Sequence, residues 1–232
     1  MPRPDLTRSR IVAAGVSVAR ELGLAALDLR TVGRRVNTTA TGLRRHIGVT
    51  ELVDAVVAQV VATMPEIPAR GDRIRRLRTW ARETREWLTE YPGLASHLLA
   101  NRWDVPAALD RLEDVARVLA ESGLAQGQAT SAAVTVFWYV LGSAELDMSP
   151  RVIGGRPAVA EGDASPRAEA SPWPLLGSRV GDYSPAATRE QFAYGLDLLL
   201  DAIQRPGPAA PKVLRAAPLS RRPAAASGTL AV

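Results

Sequence analysis

The first fifty residues interrupt their helical apolar pattern at Gly23, Asn37 and Gly48, so this part of the chain can form only short helices joined by turns. Ile11, Ala14, Gly15, Val18 and Leu22 share one helix face, with Asp5 or Thr7 placed to cap its start and Gly23 to end it. A second helix begins at Asp28 as N-cap and runs through Leu29, Val32 and Val36, and Asn37 takes the left-handed turn that closes it. Thr38 or Thr39 caps a third helix reaching to about His46. Gly48 breaks that helix, and Thr50 is placed to cap a fourth, apolar one that stops before Pro65. Two short helices joined by a turn of about four residues, behind a longer one, make a helix-turn-helix whose second helix can enter a DNA major groove.

Charge supports an anionic partner by its position more than by its amount. The chain carries a net charge of +5 over 232 residues, a weak signal alone. Residues 1–65 hold nine arginines (3, 8, 10, 20, 30, 34, 35, 44 and 45) against five acids (5, 21, 28, 51 and 54), so most of the excess lies in the first quarter. There is no cysteine, which excludes disulfides, thiolate zinc sites and cysteine nucleophiles. With only His46 and His97, a multi-histidine metal site is not expected either, and no cofactor is implied. The N-terminal MPRPDLTRSR has no apolar core of a signal peptide, which points to the cytoplasm. The longest uncharged run, Ser122 to Ala144, is too polar in its first part, SGLAQGQATS, to cross a bilayer. Its apolar remainder, AAVTVFWYVLGSA, is too short to do so, and reads as a buried helix or a subunit interface.

Beyond the break from Pro65 to Gly71, the pattern stays helical. Ile74, Leu77, Ala81, Thr84 and Leu88 mark an amphipathic helix that Pro92 stops, and a shorter helix covers Gly93 to Ala100. Ala108, Leu109, Leu112, Ala116 and Leu119 mark another, ending at Gly123, and the apolar helix from about Gln128 to Asp147 follows. Glycine and proline punctuate residues 148–184, as in VIGGRP and EASPWPLLG, which reads as a long loop. A last helix, Pro185 to Gln204, carries Phe192, Gly195, Leu196, Leu199 and Ile203 on one face, and the proline- and alanine-rich residues 205–232 read as a disordered tail. No strand-period segment stands out, and the fold class is all-α.

In order, SRIVAAGVSVARELGLAALDLRTVGRRVNTTATGLRRHIGVTELVDAVV resembles the N-terminal DNA-binding domain of TetR-family transcriptional regulators. The likeness spans about the first 60 residues without a gap. It includes Glu21-Leu22-Gly23 at the end of the first helix and Leu29-Arg30-x-Val32 at the entry to the second. Thr39-x-x-Gly42-Leu43-x-x-His46-Ile47 carries it through the third, and Glu51 with its apolar run through the start of the fourth. The family commonly places tyrosine where Arg44 stands and lysine where Thr50 stands. Arginine and a threonine at a helix start still suit phosphate, so backbone docking is preserved in kind. The resemblance implies a DNA-binding domain over residues 1–48 and a helical ligand-binding and dimerisation domain over 49–204, with 49–64 as a connecting helix. It further implies a homodimer, paired through four helices built from the apolar helix and the last helix, on a double-stranded DNA operator.

The candidate DNA contacts are Arg30, Thr38, Thr39, Thr41, Gly42, Arg44, Arg45, His46 and Thr50. Arg44 or Arg45 suits guanine in the major groove. Thr38, Thr39 and Thr41 offer hydroxyls for capping or for phosphate, His46 either meets the backbone or packs between the third and fourth helices, and Arg8 and Arg10 are further candidates for the DNA backbone. For a small-molecule effector, the five tryptophans against two phenylalanines suit an apolar pocket between helices, lined by Trp80, Trp87, Trp103, Phe137, Trp138 and Met148. His97, Asn101 and Glu145 are candidate polar anchors. The reading is a ligand-responsive regulator acting as a repressor. Two alternatives remain: an all-helical enzyme or small-molecule-binding protein using the same cavity, for which no nucleophile–base pair is visible, and a ligand-independent architectural DNA binder.

Overall fold

The computed structural model describes residues 6–101, 105–148, 152–153, 156–157 and 185–205. In chain order the described helices are α1 (Arg8–Leu22), α2 (Leu29–Arg35), α3 (Ala40–Arg44), α4 (Val49–Val61), α5 (Arg73–Thr89), α6 (Leu94–Ala100), α7 (Pro106–Glu121), α8 (Gln126–Met148) and α9 (Pro185–Ile203). A single 3-10 turn, Leu24–Ala26, links α1 to α2. The all-α expectation gains one addition inside the 148–184 loop. There β1 (Val152–Ile153) pairs antiparallel with β2 (Arg156–Pro157), Val152 opposite Pro157 and Ile153 opposite Arg156. The rest of that loop, Trp103 and the tail beyond Arg205 lie outside the described residues.

The caps that define the first three helices are those their side chains allow. Thr7 Oγ1 accepts from the Arg10 amide at 3.3 Å to start α1, and Gly23 at φ 83° closes it by donating to the Ala19 carbonyl. Asp28 accepts from the amides of Arg30 at 2.8 Å and Thr31 at 2.7 Å to start α2. Asn37, at φ 56°, is the one non-glycine residue of positive φ among those described, and it turns the chain toward α3. Thr39, rather than Thr38, caps α3, accepting from the Gly42 amide at 3.1 Å.

Three expectations need correction. α3 ends at Arg44, and Arg45 and His46 form a tighter turn in which the His46 amide donates to the Leu43 carbonyl at 2.8 Å. α4 is capped by Gly48 and not by Thr50, which sits in its first turn, because Glu51 reaches back to accept from the Gly48 amide at 3.3 Å. Leu22 is 57% exposed, since the buried arc of α1 runs through Ile11, Val12, Gly15, Val18 and Ala19.

α4 joins the N-terminal helices to the rest. A Cβ on Gly15 of α1 would stand 2.5 Å from Val56 Cγ2, so only glycine lets α1 and α4 approach this closely. Leu43 and Ile47 are buried in the same core, and α3 packs chiefly against α2. In the larger unit α8 runs through the centre against α5, α6 and α7. α5 buries Trp80 and Arg85 as well as the expected face. α7 turns Val115 and Val118 inward, while Leu109, Leu112 and Ala116 are only half-buried.

Candidate functional site

The turn between α2 and α3 is tight because its side chains leave room for backbone. A Cβ on Gly33 would lie 2.8 Å from the Thr38 carbonyl oxygen, and the Thr38 amide donates to the Gly33 carbonyl at 2.9 Å. A Cβ on Gly42 would lie 2.7 Å from Thr38 Oγ1, so this glycine lets the threonine hydroxyls crowd the start of α3. Gly33 had escaped the sequence reading, although glycine inside a helix beside a left-handed turn is the local signal of such a close approach.

Arg30, Thr39, Thr41, Arg44, Arg45, His46 and Thr50 are all exposed, and Thr38 and Gly42 are half-exposed. His46 therefore does not pack between α3 and α4. Thr39 is committed to its cap. Ion pairing sorts the arginines. Arg35 clamps Glu21, with Nη1 donating to Oε1 at 2.8 Å, and its guanidinium holds the Glu21 carboxyl below its ordinary pKa. Arg8 pairs with Glu51 and lowers the Glu51 pKa in the same way, while Arg20 pairs with Glu90. Arg30, Arg44 and Arg45 make no ion pair among the described residues. A charge without an internal partner is the kind that attracts a phosphate or a base edge. Arg44 at the end of α3 and Arg45 in the turn after it thus present unpaired cations beside the packed start of that short helix.

A second contact ties this head to the larger unit. The Leu24 amide donates to the Pro92 carbonyl at 2.8 Å, Arg20 pairs with Glu90, and its guanidinium lies 5.9 Å from the centre of the Tyr91 ring. The end of α1 is therefore seated on the turn between α5 and α6.

The residues expected to line an effector pocket take several different places among the described residues, and none of them lines the cavity between α5 and α9. Trp80 is fully buried, stacks on Phe137 at 6.2 Å and donates its indole N–H to the Pro65 carbonyl at 3.1 Å. Trp87 is half-buried and tilts against Tyr91, while Trp138 is 46% exposed on α8. Asn101 is exposed and donates to the His97 carbonyl at 3.1 Å. His97 and Met148 are half-buried, and Trp103 lies outside the described residues. Glu145 accepts from the Ser96 amide at 3.2 Å and so caps the first turn of α6. A cavity of about 260 Å³ opens instead between α5 and α9, lined by Arg82, Arg85, Glu86, Arg189, Glu190, Phe192 and Ala193. The described residues contain no group of His, Asp and Glu side chains able to hold a metal, and none of their helices is long and apolar enough to cross a membrane.

Residues 64–205 match the Tetracyclin repressor-like, C-terminal domain family, which is more than half of the chain. The chain belongs to the TetR family. Among curated relatives of this TetR-family chain is the HTH-type transcriptional repressor DrrR1 of Streptomyces coeruleorubidus, 27% identical over 227 residues, covering 90% of this chain and 83% of that protein. Solved structures share the fold. ActR of Streptomyces coelicolor in complex with (S)-DNPA aligns with a TM-score of 0.66 at 20% identity over 87% of this chain and 98% of that one. Mycobacterium smegmatis BioQ aligns at 0.62 and 23% over 86% and 98%, and BioQ has also been solved with its double-stranded DNA operator. The TetR family comprises transcriptional regulators and not enzymes, so the enzyme alternative falls away.

Proposed function

We propose that this TetR-family regulator is a homodimeric, ligand-responsive repressor of transcription that works in the cytoplasm, with residues 1–48 as its reading head and 49–204 as its effector and dimerisation domain. Each subunit sets α3 in a major groove. Arg44 and Arg45 address base edges or phosphates there, Thr38, Thr41 and His46 line the adjoining backbone, and Arg30 and Thr50 hold phosphates at the flanks. The observation that carries this reading is the sorting of charge: Arg8, Arg20 and Arg35 are paired internally and Arg30 lies in the field of Asp28, while Arg44 and Arg45 are left for a partner.

The outer faces of α8 and α9 expose Trp138, Leu146, Tyr194 and Leu198, large apolar groups of the kind that a two-fold helix pairing buries. Such a pair repeats the reading head, so the operator is pseudo-palindromic, with half-sites about 34 to 36 Å apart or a multiple. An effector that favours a different spacing of the heads releases the DNA. Moving the population from nearly all bound-competent to nearly all released takes about a 10⁴-fold preference for the released form. BioQ with its operator and ActR with (S)-DNPA are precedents for the two occupants on this fold. Selection from random duplex DNA tests the reading: it is expected to recover inverted half-sites at that spacing, and recovery of no common sequence would refute it.

A further inference from the structure

We propose that the cavity between α5 and α9 is the effector site, and that it takes a small, mostly apolar molecule carrying a single carboxylate. This rests on the ligand-responsive reading above and assigns that ligand a place and a chemistry. Arg85 is the centre of the argument. Its side chain is only 4% exposed, which for a guanidinium demands matched partners. Nε donates to Ser143 Oγ at 3.1 Å, Nη2 binds Asp147, and the guanidinium lies 5.0 Å from the centre of the Phe192 ring. Nη1 makes no hydrogen bond among the described residues, and Arg85 lines the cavity. The guanidinium is thus nearly buried beside this cavity with one nitrogen left unmatched among the described residues, and a planar carboxylate fits such an edge best.

The remaining lining fixes the rest of the ligand. Phe192 and Ala193 supply apolar wall. Arg82 and Arg189 stand at the rim without an ion pair among the described residues and add attraction for an anion, while Glu86 and Glu190 at the same rim oppose a second negative charge. Typical small-molecule pockets run from about 300 to 1,000 Å³. A cavity of about 260 Å³ therefore selects a molecule of one or two rings. The position is also suited to control. A carboxylate drawing Arg85 from Asp147 loosens α5 from α8, and the end of α5 carries Glu90, which holds Arg20 of α1.

The test uses four carboxylates, benzoate, cinnamate, cyclohexanecarboxylate and 1-naphthoate, each beside its neutral amide, with the full chain and the operator recovered by selection. At least one carboxylate is expected to raise the melting temperature and release the operator while its amide does neither. Arg82→Glu and Arg189→Glu, on the surface where folding is spared, are expected to weaken that carboxylate about tenfold or more, whereas Arg117→Glu, on α7 away from the cavity, leaves its binding unchanged. Amides as effective as acids, no binding by any acid, or undiminished binding by both rim variants would overturn the proposal. Binding without operator release would overturn its role as effector site. Failure of the ligand-free protein to bind any DNA, with the carboxylate still bound at this cavity, would strike the repressor reading instead.

Discussion

Replacing Gly33 by alanine separates helix propensity from helix placement. In an ordinary helix interior this change is favourable by about 1 kcal/mol. Here the new Cβ would lie 2.8 Å from the Thr38 carbonyl oxygen, about 0.6 Å inside the 3.4 Å at which ordinary contact begins. The atom it meets is backbone and cannot rotate away. It is also tied to the same residue, because the Thr38 amide donates to the Gly33 carbonyl at 2.9 Å. Overpacking of this kind costs about 1 to 3 kcal/mol, so the two effects leave the protein between unchanged and about 2 kcal/mol less stable. The functional loss is larger in proportion. Shifting Thr38 displaces the Thr39 cap and with it α3, and one mispositioned arginine–guanine pair is worth about 1 to 3 kcal/mol, roughly five- to 150-fold in operator affinity. Chemical denaturation and fluorescence anisotropy on a labelled operator measure the two separately. Gly142→Ala, inside α8, is the control, since nothing lies within 4 Å of its Cβ. If Gly33→Ala melted at or above the parent and bound operator equally well, the close approach would not be what sets α3.

Further outcomes follow from the caps and the α8–α9 crossing. Thr39→Ala removes the cap of α3 and is expected to cost about 1 kcal/mol in denaturation, whereas Thr41→Ala, exposed and outside the cap, leaves stability within a few tenths and weakens operator binding. Hydrogen bonds from the Thr31 amide first, then from its hydroxyl and from the Arg30 amide, hold the Asp28 carboxyl below its ordinary pKa. Its stabilisation is complete above the unfolded-chain value of about 3.9 and is lost as pH falls through the lower folded value. The gap in melting temperature between the parent and Asp28→Ala is therefore expected at neutral pH and to close on acidification; a gap that widened in acid would reverse the argument. A Cβ on Gly195 would overlap Tyr139 Oη, which donates to the Phe192 carbonyl at 3.1 Å. Gly195→Ala is expected to destabilise by about 1 to 3 kcal/mol, and adding Tyr139→Phe to recover part of it, as calorimetry would show.

The N-terminal head was legible in the sequence because its determinants are local. Asp28, Asn37 and Thr39 each act within three or four residues of the amides and carbonyls they serve, and the helix-turn-helix order follows from them. Gly48 displaced Thr50 as a cap because Glu51 supplies the reciprocal bond, which leaves the N-cap needing no side chain. The effector side was less legible for the opposite reason. Large aromatic residues carry the same signal whether they fill a core or line a pocket, and Trp80 and Phe137 fill the core by stacking on each other. Arg85 looked like any charge on an amphipathic helix. Its burial depends on Ser143 and Asp147, which lie four apart on α8, and on Phe192, more than a hundred residues away. No periodicity within α5 encodes that meeting.

The central claim is that α3 with the turn that follows it, through arginines the fold leaves unpaired, is the DNA-reading element. The most direct measurement is the affinity of the Arg44→Ala, Arg45→Ala double variant for the operator recovered by selection, taken across a salt series with circular dichroism and melting recorded alongside. The account predicts an intact fold, loss of specific binding by roughly a hundredfold or more, and a shallower dependence on salt, by about 0.9 in logarithmic slope for each phosphate contact removed. An operator affinity and salt slope equal to those of the parent, with the fold intact, would contradict it.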